Sequence, residues 1–191
     1  QGGSLEVPDG NSILPVVNQL QDRFDLIVAT QDWHPSDHLS FASNHEGKKP
    51  FDVVSLENMQ QVLWPDHCVQ GSVGAEFHQE LHTHRVEAIF RKGMTRTIDS
   101  YSGFYDNGHR KQTGLAGYLR DKGVDHVVIC GLAADFCVYF TIMDALKEVF
   151  QTTLVEDATQ PIDVSAFEEL KQTIRENGAE VVSSEQILSV R

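Results

Sequence analysis

The chain has 191 residues, 40% hydrophobic and 23% charged, which fits one globular domain able to bury a core and excludes fibrous and disordered classes. Fifteen basic against 28 acidic side chains leave a formal charge of −13, which repels a phosphate backbone and excludes nucleic acid as an expected partner. No apolar run approaches the ~20 residues a membrane helix needs, residues 1–8 lack signal-peptide character, and three cysteines with no CxxC pair fit a reduced, cytoplasmic compartment.

The chain opens on Gly2-Gly-Ser-Leu5, which reads as a loop that follows a strand. The expectation is therefore a single domain over 1–191 whose first strand precedes residue 1. Helical spacing covers 12–24, and residues 25–30 then form a short apolar run typical of a strand buried on both faces of a parallel sheet. From His34 to Gly74 the composition turns to Pro, Asp, Asn, His and Ser, a long loop that predicts a site, with a short helical piece near 56–62. Further strands are predicted at 86–90, 126–130, 152–155 and 179–182, and helices at 113–122, 135–150 and 165–177, with Gly178 closing the last. Strand and helix alternate, which predicts right-handed βαβ units and a three-layer α/β/α domain around a doubly wound, mainly parallel sheet. Ligands collect at the carboxyl ends of such strands.

Asp32 and His34 fall just past the first of these strands. Residues two apart on an extended chain point the same way, so both can face one ion, and His67 in Trp64-Pro-Asp-His67 is the natural third ligand. A carboxylate with imidazoles suits Zn²⁺, Mn²⁺ or Fe²⁺. The competing reading makes Asp32 a turn cap and the histidines exposed polar residues. His38 is open between direct ligation and orientation of a bound water, Cys68 between packing and ligation, and His45 is expected to be exposed.

Cys137 follows the most apolar predicted strand and opens a predicted helix. There the helix dipole and free backbone N–H groups can lower a thiol pKa and receive an oxyanion. The alternative is a small buried hydrophobe, the role expected of Cys130. A thiolate needs a cation beside it; Lys92 and Arg91 both qualify by position, and spacing does not separate them.

Five segments in order, Thr30-Gln-Asp-Trp-His-Pro-Ser-Asp-His-Leu-Ser-Phe41, Trp64-Pro-Asp-His-Cys-Val69, Phe90-Arg-Lys-Gly93, Asp99-Ser-Tyr-Ser-Gly-Phe104 and Gly131-Leu-Ala-Ala-Asp-Phe-Cys-Val138, resemble bacterial nicotinamidases of the isochorismatase-like cysteine hydrolases. The resemblance implies a metal-dependent amidohydrolase that converts nicotinamide to nicotinate and ammonia through a cysteine thioester, in NAD salvage, with action on pyrazinamide also open. It implies Cys137 as nucleophile, Lys92 as catalytic lysine, Asp32, His34 and His67 as metal ligands, Zn²⁺ first with Mn²⁺ or Fe²⁺ as alternatives, and Trp64 and Tyr101 as walls of the substrate site. It also implies an oxyanion hole from the backbone N–H groups of Ala133 and Cys137 and a cis Leu132–Ala133 bond.

Two departures stand out. The family's catalytic aspartate lies upstream of the Gly-Gly-Ser-Leu turn, ahead of residue 1, and Ala134 occupies a place where relatives commonly carry threonine. The alternatives are another small-amide hydrolase of the superfamily, or an inactive metal- or ligand-binding homologue if that aspartate is absent. A homo-oligomer is left open.

Overall fold

A computed structural model describes residues 2–189. Helix α1 (Leu14–Leu20) carries a proline in its first turn, where a missing N–H costs nothing, and 3₁₀ turns flank it at Gly10–Ile13 and Gln21–Arg23. It leads into β1 (Ile27–Asp32), followed by the hairpin β2 (Val53–Leu56) and β3 (Met59–Val62), then β4 (Val86–Lys92), α2 (Leu115–Asp121), β5 (His126–Leu132), α3 (Tyr139–Lys147), β6 (Gln151–Gln160), α4 (Val164–Glu176), β7 (Glu180–Val182) and α5 (Ser184–Leu188). No helix among the described residues is long and apolar enough to cross a membrane.

The predicted α/β alternation holds, and apart from the hairpin every named pairing is parallel. Strand β1 pairs with β4, and β5, β6 and β7 form a second sheet in that order. Among the described residues no strand joins β1 to β5, although both rest on one cluster of Phe104, Leu115, Leu119, Ala145 and Phe150, β1 through Val28 and β5 through Val127 and Ile129.

Alternation along the strands builds the layers. Leu154 and Ile129 face α3 and α4, where they meet Val138, Ile142, Phe167 and Ile174. Their neighbours Val128, Cys130 and Val155 point the other way, onto Leu20 of α1 and Ile187 and Leu188 of α5. Each strand is thus apolar on both faces, which is why these segments read as continuous apolar runs.

The main correction concerns residues 56–62, read as helical and found as the turn and second strand of the β2–β3 hairpin. Glu57 and Asn58 both have positive φ, 52° and 66°, the conformation of a two-residue hairpin turn whose twist matches paired strands. Seven residues rich in helix formers cannot nucleate a helix alone, whereas pairing Val53 with Val62 and Leu56 with Met59 satisfies the ladder. Two smaller differences follow. Strand β6 runs on to Gln160, five residues beyond the predicted end, and the segment 135–150 begins as a π turn over Ala134–Val138 before α3 starts at Tyr139. Helix α4 matches its predicted span to within one residue, with Asp163 accepting the Ala166 N–H as N-cap and Gly178 in the left-handed region at the far end.

Candidate active site

The site gathers at the carboxyl ends of β1, β4 and β5. Parallel pairing sets Asp32 of β1 directly opposite Lys92 of β4, and the pleat decides which basic residue of β4 enters. Lys92 turns inward, 5% exposed. Arg91 turns outward and lies over the Trp33 ring, 3.8 Å from its centroid.

The Lys92 ammonium ion-pairs with Asp32, donates to the Ser100 carbonyl at 2.9 Å and lies 3.4 Å from the Cys137 sulfur. Burial opposes its charge, yet Asp32 and the nearby thiol hold its pKa above the ordinary lysine range. Burial likewise opposes the Asp32 carboxylate, but Lys92 and His34 keep it below the usual range. Both groups are charged at neutral pH.

Cys137 sits inside the π turn rather than at the first residue of an α-helix, and the expectation of a lowered thiol pKa is not met. Burial pushes the thiol up to about 11, against the lowering influence of Lys92. Lys92 alone does not outweigh desolvation, so the thiol is protonated and its attack requires a base. The peptide bond Leu132–Ala133 is cis, and the next residue, Ala134, is fully buried in the apolar core.

His34 and His67 are oriented from outside the site. His34 Nδ1 lies 2.9 Å from the Gly93 carbonyl and His67 Nδ1 lies 2.8 Å from the Pro65 carbonyl. A carbonyl only accepts, so each Nδ1 carries the proton and each Nε2 keeps a free lone pair, the arrangement of a metal-ligating imidazole. Ligand atoms of Asp32, His34 and His67 lie within 4.8 Å of one another. This donor set fits one divalent ion. Burial first, and the neighbouring His34 ring second, lower the His67 pKa and keep the ring neutral. Cys68 is not part of this group; its carbonyl accepts the His34 N–H at 3.0 Å, and burial lifts its thiol to about 12. His45, expected to be exposed, is half-buried, with Nε2 2.8 Å from the Leu39 carbonyl.

An aromatic wall stands beside Cys137. Trp64 packs edge-on against Phe136 with centroids 5.0 Å apart, Tyr101 against Phe136 at 5.6 Å, and the Trp64 indole N–H donates to the Tyr101 hydroxyl at 3.2 Å. Trp64 and Tyr101 were singled out from the sequence; Phe136 was not, although it directly precedes Cys137.

Two buried carboxylates also escaped the sequence reading. Asp135 accepts the N–H groups of Ile162 and Asp163 at 3.0 and 2.8 Å, tying the Cys137 turn to the loop before α4. Asp99, 3% exposed, accepts the Ser100 N–H at 2.8 Å, and the Gln61 amide of β3 stands 3.5 Å from its other oxygen. Spacing could not separate these two from the chain's other acidic residues.

The chain matches the Isochorismatase domain over residues 1–186. It belongs to the isochorismatase family. Within that family it is 47% identical to a nicotinamidase of Acinetobacter baylyi over 98% of this chain and 88% of that protein, so it stands in the nicotinamidase group. Two solved structures of family members share its architecture. An Acinetobacter baumanii nicotinamidase/pyrazinamidase superposes with TM-score 0.95 at 45% identity, covering 98% of this chain and 91% of that one. A Pyrococcus horikoshii pyrazinamidase in complex with zinc gives 0.78 at 36% identity over 95% and 90%. Family membership accounts for the doubly wound architecture and for the order in which the five sequence segments return to one end of the sheet.

Proposed function

We propose that this protein hydrolyses nicotinamide to nicotinate and ammonia by way of a Cys137 thioester. The observation that carries the reading is the contact of Lys92 with both Asp32 and Cys137, which puts a nucleophile, a fixed cation and three candidate metal ligands side by side. The relatives named nicotinamidase and pyrazinamidase support the substrate class.

In this scheme the thiol proton passes to a carboxylate base and the sulfur attacks the carboxamide carbon, forming an S–C bond as the carbonyl electron pair moves onto oxygen. Lys92 holds the developing thiolate through its ammonium group. The oxygen charge is received by the backbone N–H groups of Ala133 and Cys137. The intermediate collapses with cleavage of the C–N bond, and the stored proton leaves on the amine as ammonia. Water then opens the thioester and restores the thiol. Trp64, Tyr101 and Phe136 wall the aromatic ring.

A divalent ion held by Asp32, His34 and His67 would supply a Lewis acid for the pyridine nitrogen. Zn²⁺ is the first candidate, Mn²⁺ and Fe²⁺ the others, and the zinc-bound pyrazinamidase supports this order. Asp32 is engaged by Lys92 and would serve the ion, so it is not assigned as the base. We also propose a cytoplasmic role in NAD salvage, which the relatives named nicotinamidase support.

Cys137→Ala in the full-length protein tests the scheme. Ammonia release from nicotinamide should fall at least about 10³-fold, as loss of a covalent nucleophile does, while metal content stays at the wild-type level. Release at the wild-type rate would refute the nucleophile.

A further inference from the structure

The cluster contains a third histidine in the opposite tautomer. His38 is fully buried, and its Nδ1 lies 3.1 Å from the backbone N–H of Ser40 and 2.7 Å from the Ser40 hydroxyl. A backbone N–H can only donate, so Nδ1 is the acceptor and the neutral ring carries its proton on Nε2. That Nε2 makes no hydrogen bond of good geometry among the described residues, although the Ile98 carbonyl lies near enough to the ring to favour its charged form. His34 and His67, in contrast, keep their Nε2 lone pairs free. A ring with its proton on Nε2 cannot ligate a metal through that atom; it offers a hydrogen bond.

Asp99 supplies the complementary half. Ligand atoms of His34, His38 and Asp99 lie within 4.8 Å of one another, close enough for one water to bridge them. A buried carboxylate with a single strong hydrogen bond, the one from Ser100 at 2.8 Å, has acceptor capacity to spare. A water needs two to four polar partners to be held in a protein interior, and here it would find a donor on one side and an acceptor on the other.

We propose that His38 and Asp99 form a second tier to the metal cradle, holding one water between them beside His34, with Asp99 as the positioning residue that sets metal affinity. This rests on the reading of Asp32, His34 and His67 as metal ligands. It assigns His38 to water orientation rather than direct ligation. It also gives the β2–β3 hairpin a task, because Gln61 on β3 reaches both Asp99 and, at 3.2 Å, the Tyr101 hydroxyl, so one buried amide links the carboxylate to the aromatic wall.

The test is competition for Zn²⁺ between a chromophoric chelator and metal-stripped protein, for the wild type, Asp99→Asn, His38→Ala and the double variant, with melting curves of the metal-free forms. Asp99→Asn keeps the side-chain shape and removes the charge. Its Zn²⁺ affinity should fall about 10–100-fold, the usual loss when an outer partner of a metal site is removed. The metal-free variant should melt at or above the wild-type temperature, since the amide oxygen can still accept the Ser100 N–H while the cost of burying a carboxylate is gone. His38→Ala should cost a similar factor, and the double variant no more than the weaker single one, because both act through one water.

Unchanged affinity in Asp99→Asn overturns the proposal. So does a His38→Ala loss at least a hundredfold beyond that of Asp99→Asn, which would make His38 a direct ligand. A metal-free Asp99→Asn that melts well below wild type assigns Asp99 to the scaffold and also overturns it. A wild-type protein that takes up no Zn²⁺ refutes the cradle itself.

Discussion

Gly93→Ala adds one methyl group where the fold leaves no room for it. Gly93 follows Lys92 at the end of β4 with φ 65°, and a β-carbon there would lie 2.3 Å from His34 Cε1 and 2.5 Å from Nδ1. An ordinary carbon contact is about 3.5 Å, so the ring or the backbone would have to retreat by roughly 1 Å. His34 has nowhere to go, being 1% exposed and packed against His38, His67 and Phe41 with centroids 4.7, 4.9 and 5.5 Å away. Overpacking costs about 1–3 kcal/mol, and a left-handed backbone costs a residue with a β-carbon about 1–2 kcal/mol more. The total, roughly 2–5 kcal/mol, corresponds in a chain of this size to a melting temperature lower by about 4–20 °C. Displacing the ring also breaks its 2.9 Å bond to the Gly93 carbonyl, so Zn²⁺ affinity should drop at least tenfold. Calorimetry on the metal-free variant and chelator competition measure the two effects separately. A variant that melts within a degree of wild type and binds Zn²⁺ equally well would refute both the packing argument and the role given to His34.

Asp135→Ala should be as damaging from a different cause. It strips the acceptor from the Ile162 and Asp163 N–H groups, at about 1–3 kcal/mol for each unsatisfied donor, and loosens the turn that carries Cys137. Urea denaturation should show a loss of roughly 2–6 kcal/mol together with a fall in kcat, and a denaturation midpoint equal to wild type would contradict the assignment. Alkaline stability is a third check. Burial raises the Cys130 thiol to about 11, above its unfolded value near 8.5. A raised folded pKa gives stability that is fully present below the unfolded pKa and lost as pH climbs through the folded one. The melting temperature should therefore decline between about pH 8.5 and 11, and Cys130→Ala should decline less steeply; parallel curves for the two proteins would count against a buried thiol.

Much of the site was legible because its residues sit at element ends that patterning marks. The apolar run ending at Gln31-Asp32 placed Asp32 and His34 past a strand, and the strand at 126–130 placed Cys137 just beyond another. Motif order then tied these to Lys92 and His67 far along the chain. The hairpin at 53–62 was misread because helix-forming residues such as Leu56, Met59 and Gln60 are weak guides once cross-strand pairing competes. The thiol pKa ran opposite to expectation because desolvation is a property of the packed turn, and no local sequence reports it.

The sequence by itself determined the α/β alternation, the ends of α4 and the candidate ligand set, since periodicity, capping and residue chemistry are written locally. Tertiary structure alone decided between Lys92 and Arg91, through the register that faces Asp32 with Lys92. It also decided which ring nitrogens are free, through carbonyls of Pro65 and Gly93 and the Ser40 N–H. It brought Asp99 beside His38, 61 positions earlier in the chain. These choices depend on atoms distant in sequence and near in space, and burial there removes the water that would otherwise make the alternatives equivalent.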